Sequence, residues 1–279
     1  MDKIKTQPFG TFALSRTQNF IISLADSLPN NKIGRWGISL CRKLALGSRE
    51  GPFDVVIGEG LNLRLHPKDN RCEKRVICGP QTWDSRERKI LADTLAMHNK
   101  QRPFVFLDVG ANVGLYSLFL GAAARQLSKD VKLIAIEPDK TNAARLQTNA
   151  KASNINITHV PIGIGAERTV ASLIGGGKNR GEIKIGKAQD NEPTIEVMPL
   201  YELCQNLNLD EIDAMKIDIE GYDFQALEHF FNTAKQTLWP KCLVIETRDP
   251  SFDILGLCLE NGYELAFQAG INAVVSRKM

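Results

Sequence analysis

Three charged residues, Lys216, Asp218 and Glu220, alternate with apolar residues in the segment MKIDIEG. If this segment is a strand, its three charges lie on one face, because successive side chains point to opposite faces. Burying charges in a sheet is costly unless they have a task, and a carboxylate at the end of a strand can remove a proton from a hydroxyl group. We predict that Asp218 is a general base with Lys216 and Glu220 beside it. The alternative is a structural ion pair between Lys216 and one of the acids.

A glycine-rich turn occurs earlier, in the segment FVFLDVGANVG at residues 104–114. A hydrophobic run ends in Asp108, and Gly110 and Gly114 precede a predicted helix. Glycines let the backbone pass close to a ligand, and the first helical N–H groups point at it. The spacing Asp-x-Gly-x-x-x-Gly differs from the Gly-x-Gly-x-x-Gly fingerprint of dinucleotide sites. It therefore indicates S-adenosylmethionine (SAM) rather than NAD.

Glu137 ends the next predicted strand of the same strand–helix–strand unit. An acid in this position can accept hydrogen bonds from both ribose hydroxyls of a nucleoside. Asp108 would hold the amino-acid end of SAM or, alternatively, cap the turn. Asn112 would either cap backbone N–H groups or contact the ligand's carboxylate. The spacing thus predicts a nucleoside pocket after two neighbouring strands.

The elements that must position these residues are of two kinds. From residue 104 onward predicted strands and helices alternate, and a predicted antiparallel pair of strands follows at residues 263–267 and 273–276. This order implies an α/β fold with a mostly parallel sheet and helices on both faces. Residues 11–47 predict two helices, with apolar stripes at Leu14, Ile21, Leu24 and Leu28 and at Ile38, Leu40 and Leu44. Residues 53–57 and 61–65 predict a β-hairpin. Trp83 and Asp84 precede a predicted helix and could close one wall of the pocket; the alternative for Trp83 is a place in the core.

Composition narrows the functional classes. The chain has 279 residues and a formal net charge of +3, too small to argue for a nucleic-acid partner. The first fifty residues are more basic, with eight Lys or Arg against three acids (Lys3, Lys5, Arg16, Lys32, Arg35, Arg42, Lys43 and Arg49; Asp2, Asp26 and Glu50). This bias indicates either peripheral membrane or partner contact or a solvated helical face. No apolar run could span a bilayer, no secretory signal is recognisable, and the cysteines are scattered, so we expect a cytoplasmic protein.

Three segments occur in an order and spacing that resemble the FkbM family of SAM-dependent methyltransferases: DVGANVGLYSLFL, IAIEPDKTNAARLQTNA and IDAMKIDIEGYDFQAL. The resemblance covers about residues 85–267. It implies a class I, Rossmann-like methyltransferase fold and methyl transfer to a hydroxyl oxygen of a sugar, glycan or small metabolite. It also implies that Asp218 and Glu220 face the reaction centre. The SAM-binding residues that it implies are Asp108, Gly110, Ala111, Asn112, Gly114, Glu137 and Pro138.

These observations predict a methyltransferase domain at residues 101–279 and an appendage of helices and a hairpin at residues 1–100. Glu246 could join Asp218 and Glu220 in a carboxylate group for Mg²⁺, but we predict a polar surround without metal. The predicted partner is a small molecule or carbohydrate with a hydroxyl group. A second hypothesis is a non-catalytic SAM- or nucleoside-binding module that docks to a partner through its amino-terminal helices. The acceptor and the oligomeric state are left open.

Overall fold

The computed structural model describes residues 7–277 apart from 59, 176, 178 and 188–193. The amino-terminal part contains four helices and two strands: α1 (Arg16–Asp26), α2 (Lys32–Leu46), β1 (Phe53–Ile57), β2 (Leu61–Leu65), α3 (Arg71–Val76) and α4 (Ser85–Ala96). β1 and β2 form the predicted antiparallel hairpin. Gln18 Nε2, near the start of α1, donates to Ala45 O, near the end of α2, at 2.6 Å. The two helices therefore form an antiparallel helical hairpin.

The rest of the chain alternates between strands and helices. Its elements are β3 (Phe104–Val109), α5 (Leu115–Leu127), β4 (Val131–Ile136), α6 (Lys140–Ala152), β5 (Ile157–Val160), β6 (Gly163–Gly165), β7 (Thr169–Gly175), β8 (Ile183–Lys187), β9 (Thr194–Pro199), α7 (Leu200–Asn206), β10 (Ala214–Ile217), α8 (Asp223–Thr233), β11 (Cys242–Glu246), α9 (Ile254–Glu260), β12 (Tyr263–Ala269) and β13 (Asn272–Arg277). β6 to β9 form a separate sheet in the order β6-β9-β7-β8.

The central sheet has seven strands in the order β12-β13-β11-β10-β3-β4-β5. The strands from β11 to β5 pair in parallel, whereas β13 is antiparallel to both of its neighbours. This confirms the predicted mostly parallel sheet with an antiparallel carboxy-terminal pair. The chain runs outward from β3 to β5 and then returns to β10 on the other side of β3. Ligands of such sheets bind at this switch point, beyond the carboxyl ends of the strands.

Two hydrophobic clusters cover the two faces of the sheet. Apolar residues of even number in β3, such as Phe106, belong to one cluster, and those of odd number, such as Leu107, belong to the other. The first cluster also contains Phe53 and Leu63 from the amino-terminal hairpin and Leu118 from α5. The amino-terminal part therefore shares its core with one face of the sheet.

Two details differ from the sequence-based expectation. The segment MKIDIEG is a strand only as far as Ile217, where β10 ends, because the chain turns at Glu220 and Gly221, whose φ angles are 54° and 103°. In the amino-terminal helices Leu24, Leu40 and Leu44 are exposed, although the apolar pattern placed them in buried stripes. Among the described residues, no helix combines the length and the hydropathy that crossing a membrane requires.

Candidate active site

A cleft of about 730 Å³ opens at the carboxyl ends of β3, β4, β10 and β11. Its volume lies within the range of roughly 300–1,000 Å³ that is typical of small-molecule sites. Six predicted site residues line it: Gly110, Asn112, Glu137, Pro138, Asp218 and Glu220. The other four do not line it: Asp108, Ala111, Gly114 and Lys216. The structure therefore brings residues from separate predicted motifs to one crevice.

Gly110 forms the turn after β3. Its φ is 72°, and a Cβ atom there would lie 1.9 Å from the carbonyl oxygen of Asp218. The turn packs so tightly against the end of β10 that only glycine fits. Gly114, with φ 75°, is similarly confined by Leu146, whose Cγ would be 2.6 Å from an added Cβ. These contacts fix the turn from which Gly110 and Asn112 line the cleft.

Glu137 follows β4 and is 6% exposed. Its Oε2 accepts the backbone N–H of Asn112 and its Oε1 accepts that of Asp139, each at 2.8 Å. Burial raises the pKa of this carboxyl to about 7, although both hydrogen bonds oppose the shift. Each carboxylate oxygen has two lone pairs, so Glu137 retains the capacity to accept further hydrogen bonds from a ligand.

Asp108 lies behind the cleft and is 1% exposed. Its Oδ2 accepts hydrogen bonds from the backbone N and the Oγ of Ser117, at 3.1 and 2.7 Å. Burial raises the pKa of Asp108, against the opposing effects of Lys216 and Ser117. Within the part of the chain that the structure describes, Oδ1 is buried without a hydrogen-bond partner. Asp108 thus anchors the first turn of α5, and its contact with SAM stays a prediction.

A residue of the amino-terminal part holds the side chain of Asn112 in place. Asn112 Oδ1 accepts a hydrogen bond of 2.8 Å from Asn70 Nδ2, and among the described residues no side chain caps the helix that follows. Contact of Asn112 with a ligand stays a prediction. Asn70 itself caps α3, where its Oδ1 accepts the N–H groups of Cys72 and Glu73. Sequence reasoning missed Asn70, because its partner lies 42 positions away and no local pattern signals the contact.

Lys216 and Asp218 form the ion pair that the sequence offered as an alternative. Lys216 is 7% exposed, and its Nζ lies 2.8 Å from Gly110 O and 3.3 Å from Asp218 Oδ2. Burial alone would lower the pKa of Lys216, but Asp218 and Asp108 more than offset it, so the pKa is raised. The Asp218 side chain stays 39% exposed in the cleft. The pairing therefore leaves Asp218 accessible to a substrate.

Three carboxyl groups meet near this pair. Oxygen atoms of Asp218, Glu220 and Glu246 lie within 4.8 Å of one another. Burial and then the charge of Asp218 raise the pKa of Glu246 to about 8, although Arg248 Nε lies 2.5 Å from its Oε1. The same two causes raise the pKa of Glu220. The raised pKa favours the protonated form of Glu246. The absence of a metal from the mechanism stays a prediction.

One wall of the cleft comes from the segment before α4 and from α4 itself. Asp84, at φ 42°, accepts a hydrogen bond of 3.0 Å from the hydroxyl of Tyr116. Burial raises the pKa of Asp84. Trp83 is buried and packs edge-on against Tyr116, with ring centroids 5.2 Å apart. Glu87 also lines the cleft; its sequence context resembles an exposed helical face, so the sequence did not indicate it.

The chain matches one family model and is similar to several solved structures. The family model described as "Methyltransferase FkbM domain" matches residues 108–265, more than half of the chain. Among curated proteins no match is found. The solved METTL16 MTase domain (crystal form 2) is 13% identical, with 95% of this chain and 98% of that chain covered and a TM-score of 0.46. The precorrin-6y C5,15-methyltransferase of Geobacter metallireducens GS-15 is 14% identical, with 68% and 88% covered and a TM-score of 0.39.

The family assignment depends on the family model, whose match spans both Gly110 in the turn after β3 and Asp218 in the loop after β10. The glycine turn, the buried acid after β4 and the switch-point cleft are the features that a nucleoside-containing cofactor requires. The chain belongs to the FkbM family of methyltransferases, and its cofactor is S-adenosylmethionine.

Proposed function

We propose that the protein transfers a methyl group from SAM to a hydroxyl oxygen of a small molecule or carbohydrate. One observation carries this proposal: Asp218 presents a partly exposed carboxylate to the cleft while Lys216 holds it from behind. A neutral amine can attack a methyl donor with its own lone pair, whereas a hydroxyl group must lose a proton as it attacks. A carboxylate fixed in the cleft therefore favours a hydroxyl acceptor.

The residues of the cleft fit the cofactor. Gly110 lines the cleft in a turn that has no room for a Cβ atom, and Glu137 offers acceptor capacity for ribose hydroxyls. Asn112 and Pro138 line the same part of the cleft. When bound, SAM supplies a methyl group on a positively charged sulfur that leaves readily. No covalent nucleophile of the protein is needed.

The residues of the chain position the acceptor and accept its proton. Lys216 Nζ bridges Gly110 O and Asp218 Oδ2, so it fixes the base relative to the glycine turn. Asp218 accepts the hydroxyl proton as the oxygen attacks. Burial and the charge of Asp218 raise the pKa of Glu246, which favours the neutral form of this carboxyl beside Asp218. The remaining contribution of the site is proximity and orientation.

The test is transfer of labelled methyl groups from SAM into pools of metabolites, glycans and RNA. We expect label in a metabolite or glycan as a methyl ether, which survives alkali, whereas a methyl ester does not. Asp218→Asn should lower turnover by roughly 10²–10⁴-fold while leaving the affinity for SAM nearly unchanged. Asp210→Asn, at an exposed acid outside the cleft, is the matched control. Absence of transfer into every pool would instead support the non-catalytic binding module.

A further inference from the structure

Helix α2 has two apolar faces, and only one is buried. Gly34, Ile38 and Ala45 face the core. A second row of large side chains, which we call the α2 stripe, lies in the solvent: Ile33 is 80% exposed, Trp36 69%, Leu40 43% and Leu44 64%. Their spacing of three or four residues puts them on one side of the helix. Phe20 and Leu24, one turn apart on α1, are exposed as well.

Such a surface is unusual for a helix that needs only one apolar face to join a core. Contiguous apolar surface that remains exposed marks a site of interaction with another molecule or with a membrane. The α2 stripe contains a tryptophan and three branched aliphatic side chains, which are typical of helices that lie in the membrane interface. The helical hairpin of α1 and α2 is therefore a candidate docking surface.

The charges beside the stripe indicate which occupant fits. Lys32 and Lys43 are eleven residues apart, about three helical turns, so both lie along the same edge of the stripe. Both are exposed, and in the described residues neither makes an ion pair. The only acid in the two helices, Asp26, accepts the backbone N–H of Gly79 through its Oδ1. The surface thus combines apolar side chains with positive charge that the two helices do not neutralise.

We propose that the hairpin of α1 and α2 docks the protein on an anionic lipid bilayer, with the α2 stripe in the interface and Lys32 and Lys43 at the headgroups. A second copy of the chain fits less well, because a two-fold contact through the stripe would bring the lysines of both copies together. Anionic lipid headgroups attract such lysines. Arg35, Ile38 and Arg42 of the same helix line the cleft, so docking would hold the cleft beside the lipid surface.

Flotation with lipid vesicles tests this proposal on the full chain. We expect binding to vesicles of phosphatidylcholine with phosphatidylglycerol, weaker binding to phosphatidylcholine alone, and loss of binding as salt is raised. Trp83 and Trp239 are buried, so a blue shift of tryptophan fluorescence on binding reports Trp36. Lys32→Gln with Lys43→Gln should weaken binding to anionic vesicles on the order of 30-fold.

A combined variant removes the stripe: Ile33→Gln, Trp36→Gln, Leu40→Gln and Leu44→Gln. It should lose vesicle binding and keep its unfolding midpoint, since these side chains are exposed. The matched control replaces exposed apolar residues elsewhere, Met97→Gln, Val170→Gln and Leu265→Gln, and should bind as the unaltered chain does. The proposal is overturned if the unaltered chain ignores anionic vesicles, or if the control loses binding equally. It is also overturned if the chain is a dimer that the stripe variant dissociates. Methyl transfer is not a readout, so this outcome is independent of the acceptor.

Discussion

The affinity for SAM should rise with pH around neutrality because of one buried group, Glu137. Burial raises its pKa to about 7, and the hydrogen bonds from Asn112 and Asp139 oppose the shift without cancelling it. Ribose hydroxyls donate hydrogen bonds, so they favour the ionised carboxylate. With this pKa, roughly a tenth of the protein has ionised Glu137 at about pH 6 and roughly nine tenths at about pH 8. The dissociation constant of SAM should therefore fall about tenfold across this interval.

Calorimetric titration with SAM at several pH values measures this dependence. Glu137→Gln does not titrate, and it places an amide NH₂ against one of two backbone N–H donors. We expect its affinity to be weaker on the order of 100-fold, the equivalent of about two hydrogen bonds to a charged group. SAM itself titrates in the same way with both proteins. The difference between their slopes of log Kd against pH therefore reports the ionisation of Glu137 alone. Glu167→Gln, at an exposed position, is the control. Equal slopes for the unaltered chain and Glu137→Gln would refute the reasoning.

The same pKa has the opposite consequence for the stability of the ligand-free protein. Because folding raises the pKa of Glu137 from 4.5 to about 7, the folded state binds more protons than the unfolded state between these values. Its contribution to the free energy of unfolding is therefore largest at low pH and falls as the pH rises through this window. Urea titrations should show that Glu137→Gln lacks this decline.

Three further predictions concern the floor of the cleft. Gly110→Ala should abolish SAM binding in calorimetry, because the new Cβ would lie 1.9 Å from Asp218 O; affinity within about threefold of the unaltered chain would contradict this. Lys216→Met should lower the free energy of unfolding by about 3–5 kcal/mol in urea titrations, because Asp108 and Asp218 lose their buried cation. A loss below about 1 kcal/mol would show that the ion pair of Lys216 with Asp218 contributes little to stability. Glu246→Gln should leave methyl transfer at pH 7 nearly unchanged and remove an inflection near pH 8 from the pH–rate profile, because Glu246 is neutral below that value; an inflection that persists in the variant belongs to another group.

The parts of the site that follow from local periodicity could be predicted from sequence. The two-residue period of a strand places Lys216 and Asp218 on one face, and the structure shows them 3.3 Å apart. The glycine spacing after β3 predicted a tight turn, and Gly110 has a positive φ and packs against the backbone of Asp218. The close approach of this turn to a ligand stays a prediction. These signals are local, because each depends on a few residues of one strand and its following turn.

The parts that depend on distant contacts could not be predicted. Asn70 reaches Asn112, and Glu87 enters the cleft, only because the amino-terminal part folds over the sheet. Periodicity also failed to distinguish buried from exposed apolar residues in α2. Ile38 and Leu40 both fit a helical stripe, yet only Ile38 packs against the core. A helix with two apolar faces gives no sequence signal for which face is inside.

The two parts that the sequence separates near residue 100 meet at the cleft. The amino-terminal part contributes Phe53 and Leu63 to the same core as Phe106, and its Asn70 fixes the loop after β3. It also supplies Asp84, which lines the cleft and accepts a hydrogen bond from Tyr116. The residues that we propose for SAM binding, the glycine turn and Glu137, lie in loops of the parallel sheet. The wall at Asp84 is not among them. Changes in the amino-terminal part that preserve Asn70 should therefore alter acceptor choice before they alter affinity for SAM.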